Sequence, residues 1–352
     1  SIARVTLFIK KQNKFMKKNL IQKGKLFTIL LFCFLLVGCS VENLSEKLND
    51  HDSITQIKWN SEDINNLQLH AYSIHMPENE IIEAELNEDF KNNLLSPRFR
   101  LVCLTAIFVV LFTAWPWLIP VELGVPILSS LMALPVIGLL LAVLVCVGFI
   151  NAVNMADGAN GLMSGIAFVA FTLFAGIAGA DAWVWGIVSY IVGVFLIFNV
   201  VSGRLFLGDC GAYALGSMMV IGSFSLVNKG VVSTAFLAVL FAYPCLELVI
   251  SLIRRTVGGQ SAFLPDNDHF HNRLHYFVTL RVTSPVIANS GTGLLIVLMT
   301  SGVAFAGHYF ELLLATDGQW GYVFLVIACL QLILYWALGL VDKRVSQYVV
   351  GA

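Results

Sequence analysis

From Leu101 to Leu340 the sequence is a succession of apolar stretches near the length that crosses a bilayer, which excludes most soluble folds. About eight can be drawn, near residues 101–120, 129–150, 162–180, 182–201, 211–227, 231–253, 290–307 and 319–340, where a helix needs roughly 20 residues to span hydrocarbon. In hydrocarbon the backbone polar groups must be bonded within a helix or a closed barrel. The runs are continuous rather than alternating, which excludes an outer-membrane barrel and leaves helices. The expected fold class is all-α: a polytopic integral membrane helix bundle of about eight transmembrane helices with a polar N-terminal leader. Composition agrees, with 58% hydrophobic and 12% charged residues and a mean hydropathy of +0.81.

Charge divides the chain near residue 97. Residues 1–97 hold 11 basic and 12 acidic side chains of the chain's 21 and 22, so residues 98–352 keep 10 and 10 in 255 positions. The expected organisation is a leader over 1–97, outside the core, and a transmembrane core over 98–352. In the leader, Met16 precedes a Lys-rich stretch and then an apolar run from Leu26 to Gly38, the charge-then-apolar order of a secretion signal. The run ends in Leu36-Val37-Gly38-Cys39, which resembles the lipobox of bacterial lipoproteins; an N-terminal anchor with a chance cysteine is the alternative. Residues 40–97 are polar and read as a solvated segment. A net charge of −1 leaves no basic excess for nucleic acid, so membrane lipid and small molecules are the expected partners. Seven cysteines without a C-x-x-C pair argue against a zinc site or a disulfide framework.

Lys and Arg resist translocation and mark cytoplasmic loops. Alternating eight helices from a cytoplasmic start places Arg98, Arg100, Arg204, Arg254, Arg255, Arg273, Arg281, Lys343 and Arg344 inside and Lys229 outside. Trp115, Trp117, Trp183, Trp185, Trp320 and Tyr322 then fall at the outer interface as aromatic anchors. A lipidated Cys39 would invert this arrangement. The basic bias is spread over several loops, so it outweighs the lipobox, and the leader reads as foreign or misassembled.

Three polar islands interrupt the core, all on the predicted cytoplasmic side. The first is NAVNMADGANGL, Asn151 to Leu162, with Asn151 and Asn154 one helical turn apart and Asp157-Gly158 and Asn160-Gly161 closing a turn. The second, RLFLGDCGAYALG, sets Asp209 between glycines at the start of a membrane helix, where a carboxylate favours the helix N-terminus and a phosphate or hydrated metal can approach the backbone. The third, PDNDHFHNRLH, carries Asp266, Asp268, His269, His271, Arg273 and His275. In an extended segment His269 and His271 point the same way. Each island has a plainer reading as a turn, a helix start or a solvated loop, but polar groups converging beside a bilayer are costly. Carboxylates and amides with histidines and arginines, and no thiolates, suit a hard cation such as Mg²⁺ and a phosphate-bearing substrate; H-x-H without a third ligand is not a zinc signature.

In this order and at this spacing the islands resemble the polyprenyl-phosphate N-acetylhexosamine-1-phosphate transferases. That family includes the starter enzymes of O-antigen and enterobacterial common antigen synthesis and the muramoyl-pentapeptide translocase MraY. The resemblance runs from about Leu95 to Leu340, and the D-x-x-H-x-H form of the third island is similar to the starter-enzyme branch. It implies transfer of N-acetylhexosamine-1-phosphate from a UDP-N-acetylhexosamine to undecaprenyl phosphate, releasing UMP. It further implies Mg²⁺ at the cytoplasmic face of the bacterial inner membrane, in cell-surface polysaccharide or cell-wall synthesis. By the same resemblance Asp209 and Asp157 are the metal-binding and catalytic aspartates, and His269 and His271 contact the diphosphate and uridine. Asn151, Asn154, Asn160, Arg254, Arg255, Asp266 and Arg273 line the substrate pocket. Glu247 stands where relatives carry aspartate. A homodimer stays open.

Three departures accompany the resemblance. Asn160 stands where many relatives have a second aspartate, and Asn272 where starter enzymes usually have a histidine. The family's adjacent aspartate pair and about three preceding helices are replaced by the polar leader, whose Glu88-Asp89 pair is out of register. A non-catalytic truncated remnant and a membrane transporter are therefore the rival readings; the transporter predicts charged mid-membrane positions, of which only Glu247 qualifies.

Overall fold

The computed structural model describes residues 97–259 and 268–350, with side chains from 98 to 259 and 268 to 340. The leader with its Cys39 motif and acidic pair, and Asp266 of the third island, lie outside the described residues. Within them the chain is helical without strands: α1 (Pro97–Ala114), α2 (Pro126–Met132), α3 (Pro135–Ala156), α4 (Leu162–Ile177), α5 (Ala182–Ser202), α6 (Gly208–Asn228), α7 (Thr234–Leu240), α8 (Ala242–Val257), α9 (Phe270–Thr279), α10 (Pro285–Met299), α11 (Ser301–Tyr309) and α12 (Trp320–Val350). It is a multi-pass membrane protein. Among the described residues four segments, 135–156, 179–202, 208–228 and 320–340, are long and apolar enough to cross a bilayer alone, and the number rises to as many as six when each of two bent helix pairs is counted as one span.

Both bends correct the expectation of straight spans over 231–253 and 290–307. α7 and α8 meet at 79° and α10 and α11 at 48°. The first break has a covalent cause: Pro244 has no N–H to give the Leu240 carbonyl, and its ring crowds that turn. The Ser301 hydroxyl, at the second break, donates to the Leu240 carbonyl at 2.6 Å. Thr300, also at the second break, turns its hydroxyl back to Ile296 O at 2.7 Å. The two interruptions thus satisfy carbonyls that hydrocarbon would leave unbonded.

α4 is the centre of the bundle. Its 16 residues are too few to span freely, and Leu162, Met163, Ile166, Ala167, Ala170, Phe171 and Phe174 are wholly buried, as a helix apolar all round requires. Lipid-facing side chains lie instead on α5 and α12, such as Ile187, Tyr190, Ile333 and Trp336. Two expected interface tryptophans pack inward on the core. Trp320 is 1% exposed against Phe236 and donates to Leu314 O at 2.8 Å, and Trp185 stacks on Phe171 at 5.7 Å. Trp117, Trp183 and Tyr322 are exposed as anchors should be.

The far end of the bundle is closed by polar ties. Asn228 donates to the Trp117 and Leu118 carbonyls, Thr234 to Leu123 O, and Lys229 pairs with Asp181 at 2.7 Å. At the near end lie the C-termini of α3, α5 and α8, the N-termini of α4, α6 and α10, and α9. All three polar islands fall there. α3 and α6, which carry Asp157 and Asp209, pack closely because Gly216 brings Ile150 Cα within 3.3 Å of where a Cβ would stand.

Candidate functional site

The first island is a rigid turn. Asp157 ends α3 with its N–H 3.4 Å from Asn154 O, and Gly161 takes a left-handed φ of +77° to start α4, a backbone that favours glycine. Two asparagines from other helices bond its backbone amides: Asn289 Oδ1 accepts from Asn160 N at 2.6 Å and Asn199 Oδ1 from Gly161 N at 2.5 Å. Asn199 Nδ2 donates to Leu205 O at 2.5 Å, which ties this turn to the connection leading into α6. Asp209 stands in the first turn of α6, exposed, where its carboxylate complements the helix N-terminus.

Asp157 senses the charge of Asp209. Burial, and then the negative charge of Asp209, push the Asp157 carboxyl up to about 7. Two hard carboxylates close enough for one to raise the pKa of the other are suited to share a cation. Among the described residues no three acidic, histidine or cysteine side chains converge on a metal position. The donor set fits Mg²⁺, which keeps water and substrate phosphate oxygens and needs only one or two protein carboxylates.

The histidine island is held by α8, whose Tyr243, Glu247, Ser251 and Arg254 follow helical spacing on one face; the first three are buried. Glu247 Oε1 accepts from the Phe270 N–H at 3.2 Å and lies 2.9 Å from His269 Nδ1, so a carboxylate from another helix bonds the N-terminus of α9. The Tyr243 hydroxyl lies 2.7 Å from His271 Nδ1. The two imidazoles stack with centroids 5.3 Å apart. They point together as expected, but for a different reason: His269 is the residue before α9 and His271 lies in its first turn, so the helix start rather than an extended strand aligns them.

His271 joins the third island to the first. A Cβ placed on Gly158 would overlap the His271 ring at Nε2, so the Asp157–Gly158 turn and this nitrogen are direct neighbours. Burial, followed by the charges of His269 and His275, lowers the His271 pKa to about 3 and keeps the ring neutral. Asp157, Asp209, His269 and His271 therefore come together at one end of the bundle.

Two of the arginines expected in the substrate pocket, Arg273 and Arg254, are engaged by protein partners. Arg273 grips Asp268 with both Nε and Nη2, at 2.6 and 2.8 Å, donates to Tyr335 O at 2.9 Å and lies 3.9 Å over the Tyr335 ring. Arg254 donates to the Asp268 carbonyl and to Tyr335 Oη. Asp268 is half-buried, which raises its pKa, but the hydrogen bond and charge of Arg273 prevail and hold it below the usual range. This cluster fastens the histidine loop to α12. Asn160 is also turned inward, 6% exposed, with its amide beside Gly203. Asn151 donates to Val147 O within its own helix at 2.7 Å, Asn154 is half-buried one turn before Asp157, and Arg255 is half-buried at the end of α8.

Sequence reasoning missed Tyr243, Asn199, Asn289 and Tyr335. Asn199 gave the clearest signal, an amide inside an apolar helix, where an unbonded polar group is costly.

Comparison with known proteins bears on the same region. Residues 86–227 match the sequence model of glycosyl transferase family 4, a segment that contains Asp157 and Asp209 and ends before the histidines. A phospho-N-acetylmuramoyl-pentapeptide-transferase from Levilactobacillus brevis is 31% identical over 131 residues, 36% of this chain and 40% of its own length. One from Oceanobacillus iheyensis is 34% identical over 145 residues, 38% and 42%. A probable undecaprenyl-phosphate N-acetylglucosaminyl 1-phosphate transferase from Bacillus subtilis is 28% identical over 161 residues, 44% and 45%. The chain spans less than half the length of these relatives.

Proposed function

Residues 86–227 match glycosyl transferase family 4, and from that premise we propose that this chain moves N-acetylhexosamine-1-phosphate from a UDP-sugar to undecaprenyl phosphate, releasing UMP. The observation that supports it most is the convergence of Asp157 and Asp209 with the neutral His271 ring, joined through Gly158. The D-x-x-H-x-H spacing favours a starter enzyme of surface polysaccharide synthesis over the pentapeptide branch.

Phosphoryl transfer needs positioning and charge neutralisation more than covalent help. Asp157 and Asp209 would hold Mg²⁺, which when bound neutralises diphosphate charge. The turn amides bonded by Asn199 and Asn289 keep Asp157 in place while substrate enters. His271 and His269 would meet the diphosphate beside that turn. The transferred phosphorus gains a bond to an oxygen of the lipid phosphate and loses its bond to UMP, and the histidines stabilise the charge left on UMP. The basic side chains Arg204, Arg254, Arg255, Arg273 and Arg281 share the end that carries the site, which favours the cytoplasmic face of a bacterial inner membrane.

Membranes holding the full chain, given UDP-N-acetylhexosamine donors, undecaprenyl phosphate and Mg²⁺, should release UMP, and Asp209→Ala should abolish the release. No UMP with any donor, or equal UMP from Asp209→Ala, would overturn the reading.

A further inference from the structure

His269 and His271 stack in one site, yet their Nδ1 atoms meet partners of opposite character. Glu247 Oε1 already accepts the Phe270 N–H, and a carboxylate oxygen of this kind accepts from His269 Nδ1 as well. His269 therefore carries a proton on Nδ1. His271 Nδ1 faces the Tyr243 hydroxyl, where either atom can donate. Burial decides between them. Tyr243 is wholly buried; besides His271 Nδ1 its hydroxyl oxygen meets the His271 backbone N–H, which can only donate, so among the described residues Nδ1 is the one acceptor for the phenol proton. Were Nδ1 the donor, the phenol proton would be buried without an acceptor, an arrangement that native interiors avoid. With the phenol as donor, Nδ1 accepts and the ring proton sits on Nε2, the nitrogen against Gly158.

We propose that Tyr243 and Glu247 are positioning residues that hold the stacked histidines in opposite tautomers, making His271 a fixed Nε2–H donor beside Asp157 and leaving His269 Nε2 as the nitrogen open to proton exchange. The tautomers follow from the hydrogen bonds; their roles rest on the transferase reading. A neutral ring fixed as Nε2–H suits an oxygen gaining charge as UMP departs and does not act as a base there. His269 is then the member of the pair able to exchange a proton with a phosphate. One helix supplies both partners because Tyr243 and Glu247 are a single turn apart on α8.

The test uses the full chain in lipid nanodiscs with ¹⁵N-labelled histidine, the two signals identified by their loss in His269→Gln and His271→Gln. His271 should show a protonated Nε2 and a bare Nδ1, and His269 a protonated Nδ1. Tyr243→Phe removes only the hydroxyl; it should mix the His271 tautomers, leave His269 unchanged and lower UMP release about tenfold through kcat, the equivalent of one hydrogen bond. A wild-type His271 protonated on Nδ1, or one indifferent to Tyr243→Phe, would overturn the assignment. Tautomers as expected in a chain that releases no UMP would refute the transferase reading and leave the assignment standing.

Discussion

Gly158→Ala adds one methyl group where the structure leaves no room. Gly158 has no left-handed φ, so the backbone accepts alanine and the whole cost falls on the contact with His271. That ring cannot easily yield: it is 3% exposed, bonded to Tyr243 at 2.7 Å and stacked on His269 at 5.3 Å. Overpacking of this kind costs about 1–3 kcal/mol, and a ring pushed off the Tyr243 hydroxyl loses about 1 kcal/mol more. If the strain is expressed in the transition state, about 2–4 kcal/mol corresponds to a loss between about 30-fold and about 1,000-fold in UMP release. Thermal unfolding in detergent separates strain from chemistry. Gly158→Ala should lower stability in the wild-type background and have almost no effect when His271→Ala has already emptied the space. Equal cost in both backgrounds, or none in either, would show that His271 does not lie against the turn.

Other expectations follow from the same contacts. His271 is held near 3 in the fold against 6.5 as a free side chain, so the unfolded chain binds the extra proton in between; stability should fall as pH drops from about 6.5 towards 3, and melts of His271→Asn should show a shallower slope. Arg273→Lys keeps the charge but loses the two-point grip on Asp268 and the stacking on Tyr335, and should cost about 1–3 kcal/mol in thermal or denaturant unfolding. Asn199→Leu leaves the Gly161 N–H unbonded in a buried turn, at about 1–3 kcal/mol, and cuts the tie to the Leu205 carbonyl; it should reduce UMP release more than it reduces membrane insertion, measured on the same preparation.

Much of the architecture was legible because hydrocarbon tolerates so few backbone solutions. The apolar runs around 135–156, 182–202, 208–228 and 320–340 can only be helices there, and they are. What the runs do not encode is straightness. Pro244 is visible in the sequence, but the 79° bend it permits is stable because Ser301, 57 positions later, supplies the hydrogen bond that proline lacks. Similarly, Trp320 and Trp183 both look like interface anchors, and only packing tells that Trp320 sits beneath Phe236.

The site divides along the same line. Residue chemistry and order by themselves set the expectation that Asp157, Asp209 and the paired histidines gather at one polar centre, because charged and amide groups beside a bilayer are too costly to gather without use. Only the tertiary structure decided which polar groups face that centre and which hold it together. Arg273 and Asn160 turned to structural partners, and Tyr243, an unremarkable aromatic in an apolar run, became the partner of His271. The physical reason is that hydrogen bonds depend on distances of a few ångströms between residues far apart in the chain, a relation fixed by how helices pack and not by the local pattern of any one of them.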